Sequence, residues 1–112
     1  MNTRIATLLG LAACAASMTG AALAQNYPAK TVRIVIPQAP GAQSDLFTRM
    51  LGQKMSESMG QPVINDPRPG AGGAIGAEVA APATPDGYTL LMGTNSTHSA
   101  NPPLYSKLPY DP

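Results

Sequence analysis

The 112-residue sequence has one cysteine, no tryptophan and one phenylalanine. The cysteine, Cys14, lies in the N-terminal apolar segment, so the rest of the chain has no disulfide, no thiol nucleophile and no thiolate metal site. With so few aromatic residues, a core must be built from Leu, Ile, Val, Met and Ala. Charged residues make up 12% of the chain, and seven basic residues nearly balance six acidic ones. Because no run of basic residues is present, the composition argues against nucleic acid as a partner.

The first 24 residues have the pattern of a secretory signal peptide. A short basic start precedes an apolar stretch of mostly small residues, and Ala22-Leu23-Ala24 forms a cleavage site before Gln25. We therefore predict that residues 1–24 are removed on export. A cleaved chain without cysteine fits a bacterial periplasm better than a eukaryotic secretory route.

Two alternatives to cleavage at Ala24 remain open. The segment Ile5–Ala24 has about the length of a membrane-spanning helix, although its small residues make it weakly hydrophobic. The sequence Leu11-Ala12-Ala13-Cys14 resembles a lipoprotein box, in which Cys14 is lipidated and becomes the new N-terminus.

The remaining chain alternates strand and helix patterns. The β-branched run Val32–Ile36 predicts a strand buried on both faces. A helix is predicted next, with Ser44 as its N-cap and Gly60 as its C-terminal stop. A short strand at 62–66, a weak helix from Gly73 to about residue 80 and a strand at 87–92 follow. This β-α-β-α-β order predicts an α/β fold with a parallel sheet. The first helix is expected to bury the residues at helical spacing: Phe47, Met50, Leu51, Met55 and Met59.

In open parallel sheets, ligands bind where loops leave the carboxyl ends of the strands. Three loops take this position, at 38–45, 67–73 and 93–98, and none carries a cluster of charges. Glycine-rich loops before helices leave backbone N–H groups that attract anions. The pattern therefore predicts an anion site that needs no charged side chain.

The glycines between Gly70 and Gly76 also loosely match a dinucleotide-binding motif. Pro67 and Pro69 disturb the tight turn which that motif needs, and no acidic residue closes the third strand. A glycine loop that serves chain geometry alone is a further alternative. Asp45 has the position of a helix-stabilising acid, and the lone His98 makes neither a metal site nor a catalytic triad. We predict no catalytic residue, no metal and no cofactor.

Several blocks of the sequence closely resemble the Bug family, the periplasmic solute-binding receptors of tripartite tricarboxylate transporters. The blocks are Ile34–Gly41 with Asp45, Gly60–Val63, Arg68–Gly73 with Ile75 and Gly76, Pro85–Leu91, and Asn101–Pro102 with Leu104, Tyr105 and Leu108–Pro112. The resemblance implies the first lobe of a type II periplasmic-binding-protein fold. It also implies a receptor, not an enzyme, that holds a small carboxylate in a cleft and presents it to a membrane permease.

The resemblance also implies which residues bind the ligand. The loop after the first strand would grip a carboxylate, largely through backbone N–H groups, at Pro40, Gly41, Ala42, Gln43, Ser44 and Asp45. Gly72 and Gly73 would shape the cleft wall, and Thr94, Asn95 and Ser96 would face the same cleft. The family commonly has an aromatic residue in place of Gln38 and glycines in place of Ala42 and Gln43. These departures leave the identity of the carboxylate open.

Chains of this family are far longer, so residues 25–112 are expected to form only part of a first lobe, without the second. Because a binding protein works by closing two lobes on its ligand, we expect a truncated fragment that binds ligand weakly or not at all. Two other functions stay open: a small exported interaction module that folds alone, and a Rossmann-type nucleotide-binding enzyme.

Overall fold

The structure, a computed structural model, describes residues 27–112; the predicted signal peptide and Cys14 lie outside these residues. The elements in order are β1 (Val32–Ile36), α1 (Gln43–Met59), β2 (Val63–Pro67), a 3₁₀ turn (Ala71–Gly73), α2 (Ala74–Ala80), β3 (Thr89–Leu91), a π-helical turn (Ser96–Ala100) and α3 (Asn101–Leu104). The predicted α/β class and β-α-β-α-β order are confirmed. Within residues 27–112, no helix is long and apolar enough to cross a membrane.

The three strands form a parallel sheet with β1 in the middle, in the order β2-β1-β3. Ile34 is in register with Asn65 on one side and with Leu90 on the other. The central strand is buried on both faces, as predicted, and Val32, Val35 and Ile36 have no exposed surface. β2 extends one residue further than predicted, through Pro67, and β3 is shorter than predicted.

Helices cover both faces of the sheet. The chain moves from the central strand β1 to β2 at one edge of the sheet, and then back past β1 to β3 at the other edge. The two connections therefore run in opposite directions across the sheet. Right-handed crossovers therefore place α1 and α2 on opposite faces. α1 contacts β2 and β1, whereas α2 contacts β1 and β3 through the buried residues Ala74, Gly76 and Ala77.

The predicted start of α1 is wrong by two residues. Ala42, not Ser44, is its N-cap, and no side chain caps the helix. The Ser44 hydroxyl donates instead to Oε1 of Gln38 in the preceding loop, so a tertiary contact replaces the local cap. The predicted end is confirmed: Gly60 has a φ of 68° and donates its N–H to the Ser56 carbonyl at 3.0 Å.

The predicted buried face of α1 is also wrong. Asp45, Thr48 and Gly52 face the sheet, because α1 approaches β2 closely where Gly52 lies against the side chains of Asn65 and Val63. Met55 and Met59 are half-buried. The larger residues stay outside and form an exposed surface, here termed the apolar face of α1: Leu46, Phe47, Met50 and Leu51.

Candidate functional site

The three loops at the carboxyl ends of the strands surround a cavity of about 410 Å³. The loop after β1 contributes its lining residues from Pro37 to Ala42, the glycine loop those from Pro69 to Gly73, and the loop after β3 contributes Thr94 and Ser96. No residue of this lining carries a charge. The described residues also hold no group of three His, Cys, Asp or Glu side chains suited to a metal ion. The chemistry available at the cavity is therefore that of uncharged polar side chains and backbone groups.

The structure brings only part of the predicted ligand-binding set to the cavity wall. The residues that line it are Ala42, Gly72, Gly73, Thr94 and Ser96, whereas Pro40, Gly41, Gln43, Ser44, Asp45 and Asn95 lie outside the lining. The lining residues Gln38, Ala39, Pro69 and Gly70 lie within the loops that the sequence placed at the strand ends, but they were not in the predicted ligand-binding set. Pro37, which precedes the first of these loops, was missed. Which residues contact a ligand stays a prediction.

The N-terminus of α1 adjoins the cavity through Ala42. Within residues 27–112, no acceptor is bonded to the first-turn N–H groups of Gln43, Ser44 and Asp45. The N–H of Ala42 already donates to the Ala39 carbonyl, at 3.1 Å. Unsatisfied first-turn N–H groups and the positive end of the helix dipole together attract anions. This 17-residue helix therefore offers an anion-binding end beside an uncharged cavity.

Asp45 supports the loop and does not line the cavity. Its side chain is 1% exposed, and its Oδ2 accepts the Gly41 N–H at 2.8 Å and Nε of Arg49 at 3.0 Å. The Gly41 N–H and, next, the Arg49 guanidinium hold the pKa of Asp45 below its usual 3.8, against the opposing effect of burial. The N–H of Gly41, predicted to grip a ligand, is thus already bonded to Asp45.

This depressed pKa predicts a pH dependence of stability. A carboxyl group whose pKa is lower in the folded state stabilises above its unfolded pKa, and the stabilisation is lost as the pH falls through the folded pKa. We expect thermal melts of the unmodified chain to lose stability below about pH 4. The Asp45→Asn variant should be less stable than the unmodified chain at pH 7, and its melting temperature should fall less steeply as the pH is lowered.

Glu78→Gln is the matched control, because it neutralises an exposed carboxylate on α2 away from the cavity. Because it lies on the exposed surface, its free energy of unfolding at pH 7 should stay within about 0.5 kcal/mol of that of the unmodified chain. Equal acid sensitivity of Asp45→Asn and the unmodified chain would contradict the role given to Asp45.

Three polar side chains at the wall can contact a ligand: Gln38, Thr94 and Ser96. Oε1 of Gln38 accepts from the Ser44 hydroxyl, which leaves the Gln38 Nε2 as a donor. Among the lining residues there is no base beside a nucleophile, so the wall is suited to binding rather than to catalysis.

The charged residues near the strands pair with one another. Arg68, which flanks the glycine loop, donates Nε to Asp66 Oδ1 at 3.0 Å, and Arg33 also pairs with Asp66. Burial raises the pKa of Asp66, but the hydrogen bonds from Arg33 and Arg68 outweigh it, and the pKa lies below 3.8. Arg68 is therefore committed to Asp66 and does not line the cavity.

The sequence profile described as the tripartite tricarboxylate transporter family receptor (TctC) matches residues 47–112. The chain belongs to this family. It is 45% identical over 91 residues to a UPF0065 protein of Bordetella bronchiseptica, covering 81% of this chain and 27% of the relative. It is 36% identical over 94 residues to protein BugT of Bordetella pertussis, covering 84% of this chain and 29% of BugT. The resemblance to the Bug family is thereby confirmed.

Solved structures give the same result. A periplasmic transporter matches with a TM-score of 0.75 and 49% identity over 77% of this chain. Rpa4515 of R. palustris with adipate matches with a TM-score of 0.74 and 35% identity over 77% of this chain. MatC (Rpa3494) from Rhodopseudomonas palustris with bound malate matches with a TM-score of 0.70 and 39% identity over 75%. The chain spans 29% of each of these three proteins.

These matches argue against one of the functions left open by the sequence. The TctC family is one of receptors and not of enzymes, so the Rossmann-type nucleotide-binding enzyme is set aside. The glycine loop belongs to the first part of a periplasmic-binding-protein fold. It turns the chain from β2 into α2 through four consecutive residues with positive φ, Gly70 to Gly73.

Proposed function

We propose that this TctC-family chain is part of a periplasmic receptor that binds a small carboxylate for uptake. The observation that carries the proposal is the pairing of an uncharged cavity with the open N-terminus of α1. A carboxylate next to Ala42 would accept hydrogen bonds from first-turn N–H groups, and the helix dipole would favour its charge.

The ligand class is narrowed by the relatives. The structure of MatC contains bound malate, and that of Rpa4515 is with adipate. Malate and adipate are both small dicarboxylates. We propose a dicarboxylate for this chain as well. One carboxylate would lie at the edge of the cavity beside Ala42, where it would accept from the N–H groups of Gln43 and Ser44 just outside the lining. Polar groups of the ligand would meet Gln38 and Thr94 in the lining.

The proposal extends to location and partner. Residues 1–24 would direct export to the periplasm, and a receptor of this family would pass its ligand to the membrane permease of the transporter. The chain spans 29% of the solved receptors, and it would contribute one wall of the closed site. By itself it should bind a dicarboxylate no tighter than about 1 mM, equivalent to about −4 kcal/mol.

An NMR titration tests this function. The purified, nitrogen-15-labelled chain is titrated with malate and adipate, with malamide and adipamide as uncharged controls. We expect saturable millimolar shifts of the amides of Gln43, Ser44 and Gly72 with the acids and none with the diamides. Absence of any shift at the N-terminus of α1 would contradict the carboxylate site. Micromolar binding by calorimetry would contradict the weak affinity.

A further inference from the structure

A partly buried polar link joins the second and third loops behind the cavity wall. It consists of Asn101, Tyr110 and the carbonyl groups of Gly72 and Thr97. Asn101 Nδ2 donates to the Gly72 carbonyl at 3.1 Å and to the Tyr110 hydroxyl at 3.3 Å. The Tyr110 hydroxyl donates to the Thr97 carbonyl at 2.7 Å. Asn101 is 3% exposed and Thr97 is fully buried.

Each end of the polar link is attached to a residue that lines the cavity. Gly72 lines it directly. Thr97 does not, but its Oγ1 accepts the N–H of the lining residue Thr94 at 3.0 Å. The two residues between these ends, Asn101 and Tyr110, lie outside the lining. Any change in the link should therefore move one wall of the cavity relative to the other without removing a ligand contact.

The loops pack closely enough that no side chain fits at Gly72 or Gly73. A side chain at Gly72 would begin 3.0 Å from Oδ1 of Asn101, and one at Gly73 would begin 2.9 Å from the methyl group of Thr97. Asn101 and Thr97 are buried, and a buried amide or carbonyl group without a partner is costly, so the hydrogen bonds of these two residues favour one geometry of the link.

We infer that Asn101 and Tyr110 are positioning residues, which set the separation of the glycine loop and the Thr94–Ser96 wall for ligand binding. The inference rests on the proposed function for its link to binding. Its geometric part concerns the chain without ligand. Neither role follows from the sequence, because Asn101 and Tyr110 are separated from Gly72 by 29 and 38 positions and share no local motif with it.

Amide hydrogen exchange of the whole chain tests the geometric part. Tyr110→Phe removes only the hydroxyl, and Tyr105→Phe is its matched control, because Tyr105 is 41% exposed and outside the link. The reporters are the hydrogen-bonded amides of Gly73 and Thr94, and the reference amides are those of Val32 and Arg33 in β1. We expect Tyr110→Phe to raise exchange at both reporters roughly tenfold, with the reference amides unchanged.

Two results would overturn the inference. One is exchange in Tyr110→Phe that equals that in Tyr105→Phe. The other is an equal rise at the reporters and the reference amides, which would mean that the hydroxyl supports only global stability. Asn101→Ala is a second test. We expect amide exchange to rise more at Gly73 than at Thr94, because the carbonyl of the neighbouring Gly72 loses its hydrogen-bond partner.

A malate titration then tests the connection to binding. If malate shifts the amides at the N-terminus of α1 in the unmodified chain, Tyr110→Phe should weaken that binding about tenfold and Tyr105→Phe should not. Equal malate affinity in the two variants would overturn the positioning role. If malate shifts no amide in any chain, the proposed function fails, and with it the link to binding, while the exchange result still judges the geometry.

Discussion

Gly76→Ala should lower the free energy of unfolding by about 1–2 kcal/mol, although alanine is the better helix former. A Cβ at this position would lie 2.8 Å from both Cα and Cβ of Pro37 and 3.0 Å from the Arg68 carbonyl oxygen. Because these atoms belong largely to the backbone of the loops that follow β1 and β2, α2 must move away from the sheet. Overpacking of this kind costs about 1–3 kcal/mol, and removal of a helical glycine returns at most about 1 kcal/mol. Chemical denaturation followed by circular dichroism measures the difference.

Gly52→Ala is the matched control on the other helix. A Cβ there meets only side chains, Asn65 Oδ1 at 3.3 Å and Val63 Cγ1 at 3.4 Å, which can shift by a few tenths of an ångström. We expect the gain in helix propensity to dominate, so this variant should match or exceed the unmodified chain. If Gly76→Ala were as stable as Gly52→Ala, the close contact of α2 with Pro37 would be wrong.

Gly73→Ala should destabilise the chain by about 2–4 kcal/mol and also distort the cavity. Gly73 has a φ of 92°, where a residue with a side chain is strained by about 1–2 kcal/mol. Its new methyl group would also lie 2.9 Å from Thr97 Cγ2 and 3.2 Å from Pro37 Cβ. Both neighbours belong to loops around the cavity, so the wall must open to make room. Denaturation measures the stability, and the amide shifts of Thr94 and Ser96 report the change of the wall.

Gly60→Ala separates the two causes. Gly60 has a φ of 68°, but a Cβ there has nothing within 4 Å, so it carries the backbone strain without the contact. We expect a loss of about 1 kcal/mol and no shift at Thr94 or Ser96. Equal effects of the two substitutions would mean that the contact of Gly73 with Thr97 contributes nothing.

The sequence predicted those features that depend on local patterns. Val32–Ile36 is β-branched and continuous, which identifies a doubly buried strand, and Gly60 ends its helix through a conformation that glycine favours. The three loops at the strand ends follow from the β-α-β-α-β order alone. For the same reason, the position of the cavity could be predicted before its lining residues were known.

The predictions that were wrong concern α1, and they depend on contacts that α1 makes outside its own helical pattern. Helical periodicity marks a face but does not say how closely that face approaches the sheet. Gly52 allows α1 to come close to β2, so the small residues are buried and Phe47 and Met50 are exposed. Likewise, serine is a residue type that often caps helices, but the hydroxyl of Ser44 donates to Gln38 instead of to the helix. No local pattern records either contact.

The uncharged lining of the cavity governs how fast a ligand arrives. Clefts lined with charge of one sign collect counter-ions from a distance and can raise association rates by about 10- to 1000-fold, an effect that salt removes. N–H groups and a helix dipole act only within the first turn. Under the proposed function, a carboxylate therefore reaches this wall by undirected diffusion, and its capture rate is set by concentration and orientation. The association rate of such a receptor would therefore depend little on ionic strength.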